Sequence, residues 1–238
     1  MADAATIRIK RRKTTPAKPA SLTEKVYEAL RAEILTCTLR PGQDLNEGEV
    51  ADRFKISKTP VREALGTLRQ EGLVRTFPRR GYQVTPITFA DMDELFDVRT
   101  ILEAGAAELA CTRLTDEQIA HLNLLADAAY KHGEQQSVAL FVQTNRDFHL
   151  AIAQAAGNGR LIELILRHID ALERFFYLGA QLRDVNNETS ISHHEIVRTL
   201  ALGDPVAARE IMIRHNEQTR LGLFQALTTG RGYDLINL

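Results

Sequence analysis

The fold is decided by the stretch Ser57-Lys58-Thr59-Pro60-Val61-Arg62-Glu63-Ala64-Leu65, which continues as Gly66-Thr67-Leu68-Arg69-Gln70-Glu71-Gly72. Val61, Ala64, Leu65 and Leu68 recur at the spacing of one helix face, which predicts their burial. Ser57 suits the N-cap, and Pro60 falls in the first turn, where its missing N–H has no intrahelical partner. The side chains on or near the open face are then Lys58, Thr59, Arg62 and Arg69. A cationic helix with hydroxyl groups at its N-terminus is suited to phosphates and base edges in a DNA groove.

The flanking residues predict the partners of this helix. Asn46 is a candidate N-cap for a preceding helix whose apolar side is Val50, Ala51 and Phe54. After Gly72, residues 73–77 and 82–85 alternate apolar and polar as strands do, and residues 78–81 read as a turn. A helix, a turn, a helix and a hairpin with a basic tip predict a winged helix-turn-helix. The alternative is a solvated charged helix in an unrelated globule.

Four motifs of this region resemble the DNA-binding domain of the GntR family of bacterial transcription regulators. They are Leu39-Arg40-Pro41-Gly42, Pro60-Val61-Arg62-Glu63-Ala64-Leu65, Glu71-Gly72-Leu73-Val74 and Arg79-Arg80-Gly81-Tyr82, in matching order and spacing over residues 22–86. The resemblance implies that Ser57, Lys58, Thr59 and Arg62 enter the major groove of double-stranded operator DNA. It also implies that Arg80 and Gly81 form the wing tip, and Arg69 and Arg79 are further candidates for DNA contacts.

Two residues depart from the family pattern. Lys58 stands where the recognition helix usually has arginine, and lysine lacks the planar fork that arginine offers to guanine. Gly48 stands where many members have arginine, so one expected DNA contact is missing. Both departures bear on which operator is bound.

Charge divides the chain into two halves. Residues 1–87 hold 17 Lys and Arg against 10 Asp and Glu, whereas residues 88–238 hold 13 against 21. This asymmetry favours a nucleic-acid-binding front and a different role for the rest. The first twenty residues are basic and contain Pro16 and Pro19, which predicts an arm that touches phosphates or, alternatively, a solvated tail.

Composition excludes a membrane protein and favours the cytoplasm. No run of about 18 apolar residues exists, so we expect no membrane span. Cys37 and Cys111 are the two cysteines, and their spacing is not that of a metal site, which fits a reduced cytosolic protein.

From Thr88 onward the pattern is helical throughout. We predict six helices: from Thr88, from Thr115 to His132, from Ser137 to Ala156, from Leu161 to Leu178, from Ile191 to Leu202 and from Asp204 to Leu227. Residues 183–190 are polar and predict a loop. The fold class is therefore mainly α. We predict an N-terminal winged helix-turn-helix with a β-hairpin wing over residues 21–87 and an antiparallel helical bundle over residues 88–230. An arm over residues 1–20 precedes these two domains, and a tail over residues 231–238 follows them.

Three histidines share stripes with apolar residues on three of these helices. His149 lies in a stripe with Phe148 and Ile152, and His193 and His215 lie in similar stripes. Buried imidazoles need partners, and one shared metal would satisfy all three. Ordinary core histidines with protein partners are the alternative.

The same residues resemble the all-helical ligand domain (FCD domain) of the FadR-type subfamily, over residues 90–225. That domain commonly holds a divalent metal with one Asp and three His, which implies a site of Asn145, His149, His193 and His215. Asn145 stands at the Asp position, and its neutral amide oxygen is a weaker ligand. Three imidazoles favour zinc or nickel. By the same resemblance Arg99 would clamp an acidic effector, and an exposed Arg99–Glu103 pair is the alternative.

The resulting hypothesis is a ligand-responsive transcription regulator, acting as a repressor and not as an enzyme. It would bind operator DNA as a homodimer, because one winged domain contacts few bases. On resemblance, the helical domain would bind a small carboxylated metabolite. The alternatives are a metal-dependent all-helical hydrolase, which the lack of a His-Asp dipeptide disfavours, and an architectural DNA binder, which would not need inward histidines.

Overall fold

The computed structural model describes residues 21–77 and 81–229 and is mainly helical. The elements are α1 Leu22–Leu35, β1 Asp44–Leu45, α2 Glu47–Phe54, α3 Lys58–Gln70, β2 Val74–Phe77, β3 Gly81–Val84, α4 Phe89–Ala110, α5 Asp116–Ala126, α6 Gln135–Ala155, α7 Gly159–Leu182, α8 Asn186–Ala201 and α9 Pro205–Thr228. The predicted fold class is confirmed. The predicted arm over 1–20, most of the wing turn and the tail over 231–238 lie outside the described residues.

The N-terminal unit packs three helices against a small antiparallel sheet. Its core contains Val26, Leu30 and Ile34 of α1, the buried stripe of α3, and Val74 and Val84 of the sheet. The strand order is β1-β3-β2, and Thr76 lies opposite Tyr82 in the predicted hairpin. β1 was not predicted, because a two-residue strand is too short to show an alternating pattern.

Local signals set the ends of these helices. Ser21 and Glu24 form a capping box at the start of α1, and Asn46 Oδ1 accepts a hydrogen bond from the Gly48 N–H at the start of α2. Ser57 occupies the N-cap of α3, although its side chain makes no capping hydrogen bond. Gly72 follows α3 with φ +75°, which lets the chain turn back into β2.

The six predicted bundle helices are α4 to α9, but three boundaries differ from prediction. α5 ends at Ala126 and not near His132, and α8 begins at Asn186 and not at Ile191. One tertiary contact explains both differences. The Asn186 side chain accepts a hydrogen bond from the Tyr130 N–H and donates to the Tyr130 carbonyl, at 2.8 and 2.9 Å, while the Tyr130 hydroxyl donates to the α7 carbonyl of Ala180.

The third difference concerns Gly179, which was expected to follow the end of the fourth bundle helix. α7 instead runs through Gly179 to Leu182. A Cβ atom on Gly179 would lie 2.3 Å from Leu223 Cδ2 of α9. The glycine therefore allows the close approach of Leu223, which would have to move to accept a Cβ, and it does not terminate the helix.

Arginines connect the two units. Arg174 of α7 is buried and donates hydrogen bonds to the carbonyl oxygens of Thr85 and Pro86, at 2.8 and 3.4 Å, just before α4. Arg31 of α1 lies between Glu71 and Glu173, at 3.4 and 3.3 Å. Among the described helices, none is long and apolar enough to cross a membrane.

Candidate functional site

The recognition helix α3 presents its predicted DNA-binding side chains to solvent. Val61, Ala64, Leu65 and Leu68 are buried, as the helical spacing predicted. The opposite side exposes Ser57, Lys58, Thr59, Arg62 and Arg69. Burial of one face thus leaves the cationic face available to a DNA groove.

Glu47 of α2 contacts this face, and the sequence analysis did not predict that. Arg62 Nε donates to Glu47 Oε1 at 3.1 Å, and Arg62 Nη2 donates to Oε2 at 2.8 Å. A contact across a helix-turn-helix depends on how the two helices cross, which sequence spacing does not report.

The wing is described only in part. Gly81 has φ +90°, and a Cβ there would lie 3.0 Å from the carbonyl oxygen of Leu45, so glycine suits this position for two reasons. Arg79 and Arg80 lie outside the described residues.

In the bundle, the structure brings together His149 of α6, His193 of α8 and His215 of α9. All three are buried, and their candidate ligand nitrogens lie within 4.8 Å of one another. The ring centroids are 5.1 to 5.4 Å apart. His215 Nδ1 lies 2.7 Å from Ser192 Oγ, and the His193 ring stacks on Phe148 at 3.9 Å.

These imidazoles have the properties of metal ligands. Both ring nitrogens of His149 and Nε2 of His193 have no hydrogen-bond partner among the described residues. Burial lowers the pKa of His149 and places the pKa values of His193 and His215 well below the usual range. The rings are therefore neutral near pH 7, the protonation state that binds metal. The donor set fits a divalent ion such as zinc.

A buried ionic network on α4 borders the cluster. Arg99 Nε donates a hydrogen bond to Glu103 Oε1 at 3.0 Å, and Asn216 Nδ2 donates one to Glu103 Oε2 at 3.2 Å. His149 Nδ1 also lies 3.2 Å from Glu103 Oε2, but the two groups are not aligned for a hydrogen bond. Arg99 and Glu103 are only 1% and 2% exposed, so the alternative of an exposed pair is wrong. Burial alone would raise the pKa of Glu103, but Arg99 and His149 outweigh it and hold that pKa well below its usual range.

A cavity of about 600 Å³ adjoins the cluster between α6, α7, α8 and α9. His215 and the partly buried Asn145 line it, and Arg99 does not. Arg183 also lines it and pairs end-on with Glu188, at 2.8 and 2.6 Å. Arg183 Nε is buried and has no partner within the described part of the chain. The rest of the wall mixes apolar side chains, among them Phe141 and Phe176, with polar ones, among them Glu195 and Gln218.

Sequence reasoning missed Glu103 as a neighbour of the histidines, and it missed Asn216 and Arg183. The spacing of Arg99 and Glu103 indicated their pairing with each other, but nothing in the spacing indicated contact with α6. Residue 183 was assigned to a polar loop, whereas it is the C-cap of α7 at the cavity wall.

The fold and site together define a class of protein: a DNA-binding transcription regulator with a winged helix-turn-helix and a helical C-terminal domain. Residues 22–84 match the family described as bacterial regulatory proteins, gntR family, and residues 94–218 match the FCD domain. The chain therefore belongs to the GntR family of bacterial regulators and carries an FCD domain. This membership confirms that it is a transcription regulator and not an enzyme.

Individual relatives agree with this assignment. The chain is 31% identical over 165 residues to the Nta operon transcriptional regulator of Aminobacter aminovorans, covering 68% of this chain and 75% of the relative. It is 26% identical over 203 residues to the HTH-type transcriptional repressor RspR of Escherichia coli K12, covering 85% and 88%. The solved structure of E. coli McbR/YncC has a similar fold, with a TM-score of 0.66 at 24% identity over 86% of this chain and 98% of that one.

Proposed function

We propose that this regulator is a cytoplasmic repressor whose helical domain binds a divalent metal and a small carboxylated metabolite. The observation that carries the proposal is the position of the three buried imidazoles beside a cavity of about 600 Å³. Effector binding would alter the packing of the bundle and so the spacing of the winged domains on DNA. The sequence similarity to a repressor of E. coli supports the sign of the regulation.

His149, His193 and His215 would hold the metal, with Asn145 as a weak fourth ligand. Zinc or nickel suits three imidazoles better than magnesium or calcium does. When bound, the metal supplies a positive charge that attracts a carboxylate oxygen. The buried Glu103 compensates part of this charge through its contact with His149.

The cavity wall offers an effector both apolar side chains and polar contacts. Arg183 is the candidate for a second polar contact, because its Nε lacks a partner there. Arg99 remains a candidate as well. Its Nη1 is unpaired among the described residues, and its guanidinium lies 5.1 Å from the ring of Phe176, which lines the cavity.

The proposed DNA contacts are made by Ser57, Lys58, Thr59, Arg62 and Arg69 of α3 and by Arg79, Arg80 and Gly81 of the wing. One such surface reads few bases, so we propose a homodimer on two half-sites, formed through the bundle. Residues 21–87 would be the DNA-binding domain, and residues 88–230 the effector-binding and dimerisation domain. A monomer in light scattering at micromolar concentration, with and without operator, would contradict the dimer.

The metal proposal is tested by elemental analysis of purified protein. Wild type should retain about one zinc or nickel ion per chain after dialysis, and His193→Ala should retain almost none, because three ligands become two. Operator binding of metal-free His193→Ala should survive, since the other unit contacts DNA. His121→Ala removes an exposed imidazole on α5 and is the matched control. Equal metal content in wild type and His193→Ala would mean that the histidines are ordinary core residues.

The effector proposal is tested by a thermal-shift screen of small organic acids with and without zinc. An effector should raise the melting temperature of wild type only when zinc is present and should change operator affinity. Arg183→Ala should weaken the response without loss of zinc. If an organic acid raises the melting temperature equally with and without zinc, its binding does not depend on the metal site. That result would refute the proposed coupling between the metal and the effector.

A further inference from the structure

The pairing of Arg62 with Glu47 differs in geometry from the two other bidentate arginine–carboxylate pairs among the described residues. A guanidinium can donate two parallel hydrogen bonds from its side edge, Nε and Nη2, or from its end edge, Nη1 and Nη2. Glu47 takes the side edge of Arg62. By contrast, Glu33 takes the end edge of Arg53 at 3.0 and 2.8 Å, as Glu188 does with Arg183.

This difference leaves the end edge of Arg62 available. Over residues 21–77 and 81–229, Nη1 of Arg62 has no hydrogen-bond partner, and the Arg62 side chain is 65% exposed. Either edge of a guanidinium can meet O6 and N7 of a guanine in the major groove, and in Arg62 the end edge is the one left free. Arg53 is the reverse case, because its end edge is occupied and its Nε has no hydrogen-bond partner among the described residues.

Glu47 is itself well held. It is the first residue of α2, beside the N-cap Asn46, where the helix dipole favours a carboxylate. Its side chain is only 22% exposed. Lys58 lies on the same side, with Cε and Nζ each 3.7 Å from the position that a Cβ of Gly48 would take.

We propose that Glu47 is a positioning residue for base recognition, holding Arg62 side-on so that its end edge faces a guanine of the operator. Fixing the long side chain before binding lowers the conformational entropy lost in the complex. The carboxylate also repels phosphates, so Arg62 is directed to a base edge and not to the DNA backbone. The inference rests on the proposed docking of α3 in the major groove.

The test uses the full-length protein and a duplex that wild type selects from a random pool. Affinity for this duplex and for a scrambled duplex is measured by fluorescence anisotropy at one salt concentration. Single guanines of the selected duplex are replaced by 7-deazaguanine, which removes the N7 acceptor. The variants are Glu47→Gln, Glu47→Ala, Arg62→Ala and the double variant Glu47→Gln/Arg62→Ala. Glu49→Gln removes the same charge from an exposed position of α2 and is the matched control.

Glu47→Gln and Glu47→Ala should lower the ratio of selected to scrambled affinity by about 5- to 20-fold, part of the discrimination that a bidentate arginine–guanine pair supplies. One guanine should be sensitive to 7-deaza substitution in wild type and insensitive in Arg62→Ala. In the Arg62→Ala background, Glu47→Gln should leave the ratio unchanged. Glu49→Gln should change both affinities by the same factor.

Two results would overturn the inference. If Glu47→Gln tightens the selected duplex, Glu47 competes with DNA for Arg62. If Glu47→Gln changes both affinities by the same factor, as Glu49→Gln does, then Glu47 acts only as a surface charge. A third result would instead contradict the proposed docking of α3. If Arg62→Ala keeps full affinity for the selected duplex and keeps the sensitivity to 7-deazaguanine, Arg62 does not contact a base.

Discussion

The three histidines show how a residue's role depends on neighbours that are distant in sequence. Each lies on a different helix, and burial lowers the pKa of each imidazole. A buried neutral ring with an unpaired nitrogen is costly unless a partner supplies the missing contact. Ser192 supplies that contact to His215 Nδ1, and the free nitrogens of His149 and His193 are what a metal would bind.

Replacing Asn145 with Asp should tighten zinc binding. Asn145 precedes His149 by one helical turn and lines the cavity beside His215. An anionic oxygen offsets the charge of the ion better than an amide oxygen does, so we expect about a tenfold lower dissociation constant. Competition with a zinc chelator measures it.

The control for this prediction is Gln154→Glu, which adds the same charge at an exposed position of α6. It should leave zinc affinity unchanged. If Asn145→Asp also leaves it unchanged, residue 145 does not contact the ion, and only the histidines remain as ligands.

At the scale of elements, the packing of α7 against α9 depends on Gly179. The missing Cβ leaves room for Leu223, and the same leucine lines the cavity. Helices that approach so closely couple the shape of the cavity to the position of α7. Because α7 also carries Arg174, which binds the segment before α4, this helix connects the proposed effector site with the DNA-binding unit.

Gly179→Ala should destabilise the bundle by about 1 kcal/mol, because displacing Leu223 costs more than the helix propensity of alanine recovers. In a Leu223→Ala background the clash is absent, so the same change should stabilise by about 0.5–1 kcal/mol. Urea denaturation of the four proteins measures both values.

Gly105→Ala on α4 is the matched control, because a Cβ there would meet nothing within 4 Å. Gly105→Ala should raise the free energy of unfolding both in wild type and in Leu223→Ala. If Gly179→Ala changes the free energy of unfolding in the same direction with and without Leu223, the close approach of α7 and α9 does not limit residue 179.

For the whole molecule, acidification should destabilise the metal-free protein. The unfolded histidines titrate near pH 6.5 and the buried ones well below, so the unfolded state binds more protons as the pH falls. Stability is therefore full above about pH 6.5, and each of these histidines should lower it by about 1 kcal/mol between pH 6.5 and 5.5. Protonation of Glu103, whose pKa is depressed, should also lower the stability, at a lower pH. Glu173 should have the opposite effect on stability, because burial raises its pKa.

Denaturation at the two pH values in the presence of a chelator tests this prediction. His193→Leu should reduce the loss of stability by about 1 kcal/mol. An unchanged pH dependence in His193→Leu would mean that His193 is not held neutral in the folded protein.

The sequence by itself determined most of the local structure. The apolar stripe of α3, the N-cap at Asn46 and the hairpin of β2 and β3 depend on neighbouring residues, and each was predicted from spacing and side-chain chemistry. Family motifs added the expectation of DNA binding, which the family match confirms. The six bundle helices also follow from periodicity, because an amphipathic helix must bury one face wherever it lies.

Only the tertiary structure decided which residues from different helices meet. Gly179 indicates a helix end by local rules, yet its missing Cβ serves the contact with Leu223. Tyr130 and Asn186 set the limits of α5 and α8 through hydrogen bonds between segments 56 residues apart. The contacts of Glu103 with His149 and of Glu47 with Arg62 likewise depend on how helices cross. Spacing along the chain fixes the face on which a side chain lies, but the partner of that face is chosen by packing over the whole molecule.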